Sequence, residues 1–339
     1  MKQLNLIDKI IYFANCIFAV VLLLAYLLPF VPPKTFSLLS VLSLSVPVLL
    51  VLNAVFCLYW LLKVKRQLLL SLIVLLLGYD SISALYRFSP SEKSTNTRLS
   101  VMSYNVRLFN LYDWIPTPEV EKSIEAFVLK ESPDVVAFQE FHPHKNINFS
   151  EYPYKYESLS GQKVKYGQAI FSKYKIINKG EIKFDNTSNK AIYVDVLKDG
   201  ETIRIYNVHF QSMHINSNFN NLSEQNTEFL VKRIGAKFEM QQEQAQAIIA
   251  HQNQCAYKKV ILGDFNNTAY SYIYKQFKNE AYSDAFELCG NGFGKTFDFK
   301  LFPLRIDFIL LSEGLDAIEF KNYNHKFSDH YPVQTKISW

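Results

Sequence analysis

The chain has 339 residues, enough for one large domain or two ordinary ones, and carries a formal net charge of +5. Residues 1–98 hold nine Lys and Arg against three Asp and Glu, a net +6, while residues 99–339 hold 27 against 28, a net −1. The basic excess therefore belongs to the first part of the chain, and it excludes any charge-based case for a polyanionic substrate of the second.

From Ile10 to Pro33, and again from Thr35 to Leu62, Lys34 alone would interrupt an unbroken stretch of uncharged, mostly apolar residues. Each run exceeds the roughly 20 apolar residues that cross a bilayer. A third run, Leu68 to Leu85, is shorter in its uninterrupted core and contains Asp80. The expected spans are about 10–31, 36–62 and 67–86 within an anchor of residues 1–88. A cleaved leader fits poorly, because no small-x-small site follows the first run and further apolar runs do. Lys2 and Lys9 precede the first span, and Lys63, Lys65 and Arg66 separate the second from the third. The positive-inside rule then puts the amino terminus in the cytoplasm and, with three spans, the chain beyond Arg87 outside it. The expectation is an integral protein of a bacterial inner or plasma membrane, in contact with the lipid bilayer through these helices. If the third run does not span, the side reverses. Asp80 and Asn53 are the polar residues in the spans that would suggest a solute pathway.

Residues 89–98 lack large apolar side chains and read as an exposed linker. Beyond it, Leu99 to Val106 predicts a strand, Pro118 to Lys130 a helix and Asp134 to Phe138 a second strand. Further strands are expected at Gln168 to Phe171, Ala191 to Val196, Thr202 to Val208, Val260 to Leu262, Arg305 to Leu310 and Val333 to Ile337, with a helix from about Glu224 to Gln252. Several strands follow one another without a helix between them, which favours two packed mixed sheets with outer helices over a doubly wound parallel sheet. Cys16 and Cys57 lie in predicted spans as small apolar residues, and Cys255 and Cys289 could pair in an oxidising compartment.

Polar residues of hydrolytic type stand at the ends of these strands: Asn105, Gln139 and Glu140, His209, Asp264 and Asn266, Asp307, and Asp329 with His330. Singly, each has a plain reading as a turn, a solvated loop or a core histidine. Together they supply what in-line cleavage of a phosphate ester requires: neutralised phosphoryl charge, an oriented water and help for the leaving oxygen. Glu140, Asp329 and the Asn105 carbonyl are hard oxygen ligands suited to Mg²⁺ or Mn²⁺, and the lack of clustered His and Cys argues against zinc. Asp264 suits the orientation or deprotonation of water, Asn266 can hold phosphate, and His330 beside Asp307 suits donation to developing negative charge.

Ser103-Tyr104-Asn105-Val106, Phe138-Gln139-Glu140, Gly263-Asp264-Phe265-Asn266, Arg305-Ile306-Asp307-Phe308 and Ser328-Asp329-His330-Tyr331-Pro332-Val333 resemble the endonuclease/exonuclease/phosphatase superfamily, as does Tyr166-Gly167-Gln168-Ala169-Ile170-Phe171-Ser172. The resemblance runs from about Leu99 to Ser338, in the family's order, and defines a catalytic domain of residues 99–339. It implies a four-layer α/β/β/α sandwich of the deoxyribonuclease I type, here preceded by about three transmembrane helices. It also implies one or two divalent metals, with Glu140 as main ligand assisted by Asn105 and Asp329. Asp264 and Asn266 would handle water and phosphate, Asp307 would orient His330, and His209 would stabilise phosphate or protonate the leaving group. Asn266 and His209 are thus the expected substrate contacts.

The function this implies is a metal-dependent phosphodiesterase of nuclease type. The alternatives are a phospholipid or sphingomyelin phosphodiesterase, a phosphatase, or a binding protein that has lost catalysis. The expected substrate is a phosphate ester, either nucleic acid or phospholipid, and no protein partner is inferable. The eight lysines among residues 155–190 read as a solvated strand face, His142 and His144 as a plain loop, and Met213 to Lys237 as an Asn- and Gln-rich insertion.

Overall fold

The computed structural model describes residues 4–88, 97–213, 227–300 and 302–339. Residues 89–96 of the expected linker, and residues 214–226 of the insertion together with the expected helix start at Glu224, lie outside the described residues.

The first apolar run forms α1, Leu6–Ala25, capped by the Asn5 side chain accepting from Asp8 N–H and continued by a 3₁₀ turn at Leu28–Phe30. The second forms the short α2, Ser37–Val41, a 3₁₀ turn at Leu42–Ser45 and α3, Val46–Leu62. Leu6–Phe30 and Ser37–Leu62 are both long and apolar enough to cross a membrane. The third run departs from the expected single span: α4, Leu68–Leu77, and α5, Tyr79–Leu85, meet at a bend of 75°. Gly78 occupies the bend because Tyr26 fills the space beside it; a Cβ there would lie 1.9 Å from the Tyr26 hydroxyl. That hydroxyl donates to the Val74 carbonyl at 3.2 Å, so the top of α4 is level with the end of α1. Lys63, at the far end, pairs with Asp8 at 2.7 Å. The third run is therefore a broken helix, with ten residues before the bend, its Ser71 accepting from the Asn15 amide of α1. Asn53 gives its amide protons to the Leu49 and Phe18 carbonyls.

The remainder is a pair of six-stranded sheets. The first has the order β11-β12-β1-β2-β4-β3, with β1 Leu99–Asn105, β2 Val135–Phe141, β3 Tyr154–Ser160, β4 Tyr166–Ser172, β11 Asp316–Asn322 and β12 Val333–Ser338. The second has the order β5-β6-β7-β8-β10-β9, with β5 Ile176–Lys183, β6 Lys190–Lys198, β7 Glu201–His209, β8 Lys258–Asp264, β9 Ser283–Asp284 and β10 Asp307–Leu311. The central pairs, β1 with β2 and β7 with β8, are parallel, and the other pairs are antiparallel. Alternation sends Val101, Val135, Ala137 and Ile170 inward against Ile192, Val194, Ile205, Val260, Leu262 and Ile309. Met102, Tyr104, Val136 and Phe138 face out under α6, Val120–Glu131, whose Ile124, Phe127 and Val128 recur at helical spacing. On the second sheet Tyr206, Val208 and Ile261 lie under α7, Thr227–Gln252, and α8, Tyr272–Asn279. The result is the four-layer α/β/β/α sandwich, with the short α9, Ala285–Cys289, behind β10. Cys255 and Cys289 do not pair: both are buried free thiols, and Cys289 Sγ–H points to the Ala317 carbonyl inside the core.

The sandwich rests directly on the helices. Val41 and Leu44 pack on Leu230, Ile234 and Phe238 of α7. Lys34 N–H donates to Gln242 at 3.0 Å and its ammonium pairs with Glu243 at 2.8 Å. Tyr270 donates to the Ser81 carbonyl, Arg305 to the Ala84 carbonyl, each at 3.3 Å, and Arg87 exchanges two backbone hydrogen bonds with Gly292.

Candidate active site

Because β1 and β2 are parallel, as are β7 and β8, their carboxyl ends face one end of the sandwich. Asn105 pairs in register with Gln139, and His209 with Asp264. β10 and β12 run the other way, so Asp307, which pairs with Asp264, and His330, just before β12, enter from their amino ends. Asn105, Glu140, His209, Asp264, Asn266, Asp307, Asp329 and His330 thereby come to one end of the molecule.

Local sequence explains two of these placements. Gly263 has φ +138°, and a Cβ would lie 2.0 Å from the Val208 carbonyl oxygen, so only glycine lets β8 approach β7 where Asp264 turns into the site. At Glu140 the pairing of β2 with β4 shifts register between Phe138 and Phe141, and Glu140 itself has φ +49°. This bulge turns the Glu140 side chain, otherwise directed by simple alternation, toward the site.

At the centre lies Asp264, 1 % exposed. Its Oδ1 accepts from the Asn266 backbone N–H at 2.7 Å, and its Oδ2 accepts from the Asn266 amide at 3.1 Å and the Asn105 amide at 3.0 Å. Asn266 in turn donates to the Phe210 carbonyl, and Gln241 of α7 donates to the carbonyls of Gln211 and Asn266. His330 is buried, with Nδ1 3.0 and 3.2 Å from the two Asp307 oxygens and Nε2 3.6 Å from Asp264 Oδ2. Thr296 Oγ accepts from the N–H groups of Ile306 and Asp307 and holds that strand start in place. His209 Nε2 stands 3.7 Å from Asp264 and 3.8 Å from Glu140.

The two histidines are driven apart. Burial opposes a charge on His330, but Asp307 and then Asp264 outweigh it and hold the imidazolium up to about 10. His209 is pushed down, chiefly by burial, with Asp264 opposing and His330 adding to the effect. One imidazole is thus cationic at neutral pH and the other neutral. Burial raises Asp264 to about 6 against the pull of His330, near the value suited to a general base at neutral pH. Glu140 is raised by burial and by Asp329, with His330 and the Asn105 amide opposing.

Asp264, Asp307 and His330 each offer a ligand atom, all within 4.8 Å of one another. Asp307 and His330 are already joined by a hydrogen bond, however, and Asp264 is engaged by Asn105 and Asn266, which leaves this trio less open as a ligand set. The oxygen-rich mouth is formed instead by Glu140 and Asp329, both about one-third exposed. Carboxylate oxygens open to solvent in this way fit a hard divalent cation. The Asn105 oxygen accepts from Arg107 N–H at 3.1 Å, while its nitrogen faces Glu140 and Asp264. Ligation through its oxygen would require the amide to turn over.

Two residues at the site carried no sequence signal of their own. Arg107 pairs with Asp329 at 3.2 Å and lies 4.5 Å from the centre of the Trp114 ring. Asn207 ties the sheets together: its amide donates to the Phe138 and Ala169 carbonyls, and its oxygen accepts from Gln139 at 2.7 Å. It stands two residues from His209, in a segment where the strand pattern alone would leave it a core polar residue. Of the other histidines, His251 bonds Tyr206 through Nδ1 at 3.0 Å, outside the site.

A family model described as Endonuclease/Exonuclease/phosphatase family matches residues 102–330, and one described as a domain of unknown function, DUF8431, matches residues 8–85. No curated protein matches the chain. Among solved structures, the human Nocturnin catalytic domain with bound sulfate is 17% identical, over 76% of this chain and 97% of that one, with TM-score 0.54. An endonuclease/exonuclease/phosphatase from Bacteroides vulgatus is 18% identical, over 72% and 99%, with TM-score 0.54. The mannosyl-6-phosphatase of Bacteroides thetaiotaomicron is 17% identical, over 71% and 100%, with TM-score 0.51.

Proposed function

The chain belongs to the endonuclease/exonuclease/phosphatase family, and from that premise we propose that it is a membrane-anchored, divalent-metal-dependent phosphoester hydrolase. The observation that carries the reading is the single cluster of hydrogen bonds and close charge pairs that residues of the five motifs form around Asp264. Residues 1–88 are the anchor, 89–98 the linker and 99–339 the catalytic domain. The amino terminus and the Lys63 to Arg66 loop lie in the cytoplasm, and the catalytic domain lies outside it, at a bacterial inner or plasma membrane. Contacts between sandwich and helices at the end away from Lys63 support that topology.

Glu140 and Asp329, with Asn105 once its amide turns, would hold Mg²⁺ or Mn²⁺, which when bound neutralises phosphoryl charge. Asp264 orients a water and takes its proton, its carboxylate aimed by the backbone and side-chain N–H groups of Asn266. The water oxygen forms the new bond to phosphorus as the bond to the leaving oxygen breaks. His330, held as imidazolium by Asp307, donates a hydrogen bond to the phosphoryl oxygen, where negative charge grows. His209 and Asn266 contact the phosphate, and the proton that Asp264 has taken from the water passes on through His209, 3.7 Å away, to the leaving oxygen.

The full-length protein in nanodiscs should hydrolyse bis(p-nitrophenyl) phosphate with Mg²⁺ or Mn²⁺, and Asp264→Ala and His330→Ala should each abolish turnover. Retained turnover in both variants would overturn the site. Calorimetry detecting no divalent-cation binding would revive the inactive binding protein. A reporter fused after Trp339 that works only in the cytoplasm would reverse the topology.

A further inference from the structure

The end of the sandwich that carries the site is also the end that meets the helices. Tyr270 and Arg305, which bond α5, lie four residues beyond Asn266 and two before Asp307. Met213, four residues beyond His209, packs in the cluster with Val41 of α2. Helix α7 gives the direction. Its Ala245 and Ile248 cover the middle of the second sheet, its Gln241 holds the Asn266 carbonyl at the site, and residues from Phe238 back to Leu230 lie against α2 and the 3₁₀ turn after it. From Gln241 to Leu230 the helix extends about 16 Å past the site, at 1.5 Å per residue. The membrane segments thus meet the sandwich at the end where β1, β2, β7 and β8 finish, and along its outer helices, where Lys34 meets Gln242 and Glu243 and Phe30 lies under Lys275. At the opposite end of the sandwich β6 turns into β7 through Asp199 and Gly200.

The loop after β1 adds an independent feature. Tyr112 and Trp114 are exposed, 57 % and 42 %, and stack edge to face at 5.1 Å. Trp114 lies under the Arg107 guanidinium, which itself pairs with Asp329 at the mouth. Exposed Tyr and Trp beside a cation are the side chains that settle at the boundary between lipid headgroups and water. At the seam with the helices, Tyr86 contacts Phe88 and Phe293, both exposed.

We propose that the mouth opens onto the bilayer surface and that the substrate is a phosphoester borne by a lipid of that leaflet, its headgroup phosphate entering between His209 and His330 while its chains stay in the membrane. This rests on the hydrolase reading above and names its substrate class. The near-neutral catalytic part, with no excess of cations to track a nucleic-acid backbone, agrees with it.

Orientation can be tested without turnover. Full-length Tyr112→Cys and Asp199→Cys, each carrying an NBD fluorophore, are placed in phosphatidylcholine and phosphatidylglycerol vesicles containing headgroup-region spin-labelled lipid. Quenching at position 112 and none at 199 is expected; equal quenching, or none at 112, overturns the orientation. For the substrate, the wild-type protein with Mn²⁺ is given phospholipid in its own bilayer, a soluble short-chain phosphodiester and a single-stranded oligonucleotide. The bilayer lipid should be cleaved at least tenfold faster than the soluble diester at equal bulk concentration. Cleavage of the oligonucleotide with the lipid left intact overturns the substrate class and leaves the hydrolase reading standing. No cleavage of any phosphoester sinks that reading and the substrate class with it, while the quenching still decides the orientation.

Discussion

Replacing Asp307 by Asn removes one negative charge and almost no volume from beneath His330. The carboxylate sits 3.0 Å from Nδ1, both side chains are buried, and it is the foremost of the groups that hold the imidazolium up to about 10 against burial. A rise from about 6.5 to about 10 is worth on the order of 5 kcal/mol of preference for the charged form. Asn keeps a neutral hydrogen bond, and Asp264 keeps part of the attraction, so the expected destabilisation at pH 7 is about 3 kcal/mol, within the range for breaking a buried pair. His330 is raised in the folded state. Its contribution is therefore complete below the ordinary histidine value near 6.5 and is lost as pH rises through about 10. Thermal unfolding of the full-length protein should show a Tm gap of roughly 6–12 °C at pH 7, closing at alkaline pH as far as the protein tolerates it. With His330 no longer held cationic and in one orientation, kcat/KM on a soluble diester should fall about 10²- to 10⁴-fold at pH 7. An unchanged Tm together with an unchanged pH profile would refute the Asp307–His330 linkage.

Gly263→Ala should leave little folded protein, since the new methyl would lie 2.0 Å from the Val208 carbonyl oxygen at φ +138°; a soluble variant with the wild-type Tm would show that β8 can draw back. Asn207→Leu strips the Phe138 and Ala169 carbonyls of a donor and should cost about 1–3 kcal/mol in chemical denaturation, with kcat lowered because the β2 and β7 ends lose their tie. Glu140→Gln should weaken Mn²⁺ binding by isothermal calorimetry at least tenfold and leave Tm without metal equal or higher, because an acid raised by burial is relieved of its charge. The activity of the wild-type protein should decline below pH 6 as Asp264 takes up a proton; an acidic limb confined below pH 4 would exclude it as the base.

Much of the candidate site was legible because its residues stand at the ends of strands whose apolar cores announce themselves. Val260-Ile261-Leu262 ends at Asp264, and Tyr206-Asn207-Val208 ends at His209. The strands that escaped notice are β3, β5, β9 and β11, the outer strands of their sheets. β3 and β5 are largely solvent-facing and show weak alternation, and β9 is two residues long. The bulge at Glu140 and the bend at Gly78 were hidden for a different reason. Each depends on a partner remote in sequence, β4 for the bulge and Tyr26 for the bend.

Sequence by itself determined which segments are apolar enough to span a bilayer, where the basic charge lies, and which chemical groups terminate each strand. These are local properties, set by run length, period and residue type. Only the tertiary structure decided that Arg107 and Asn207 join the site, that Asn105 presents its nitrogen to Asp264, and that the site end of the sandwich meets the helices. Those depend on strand order, parallel pairing and the projection of α7, which bring together residues more than a hundred positions apart, such as Asn105 with Asp264, and no local pattern encodes such distances.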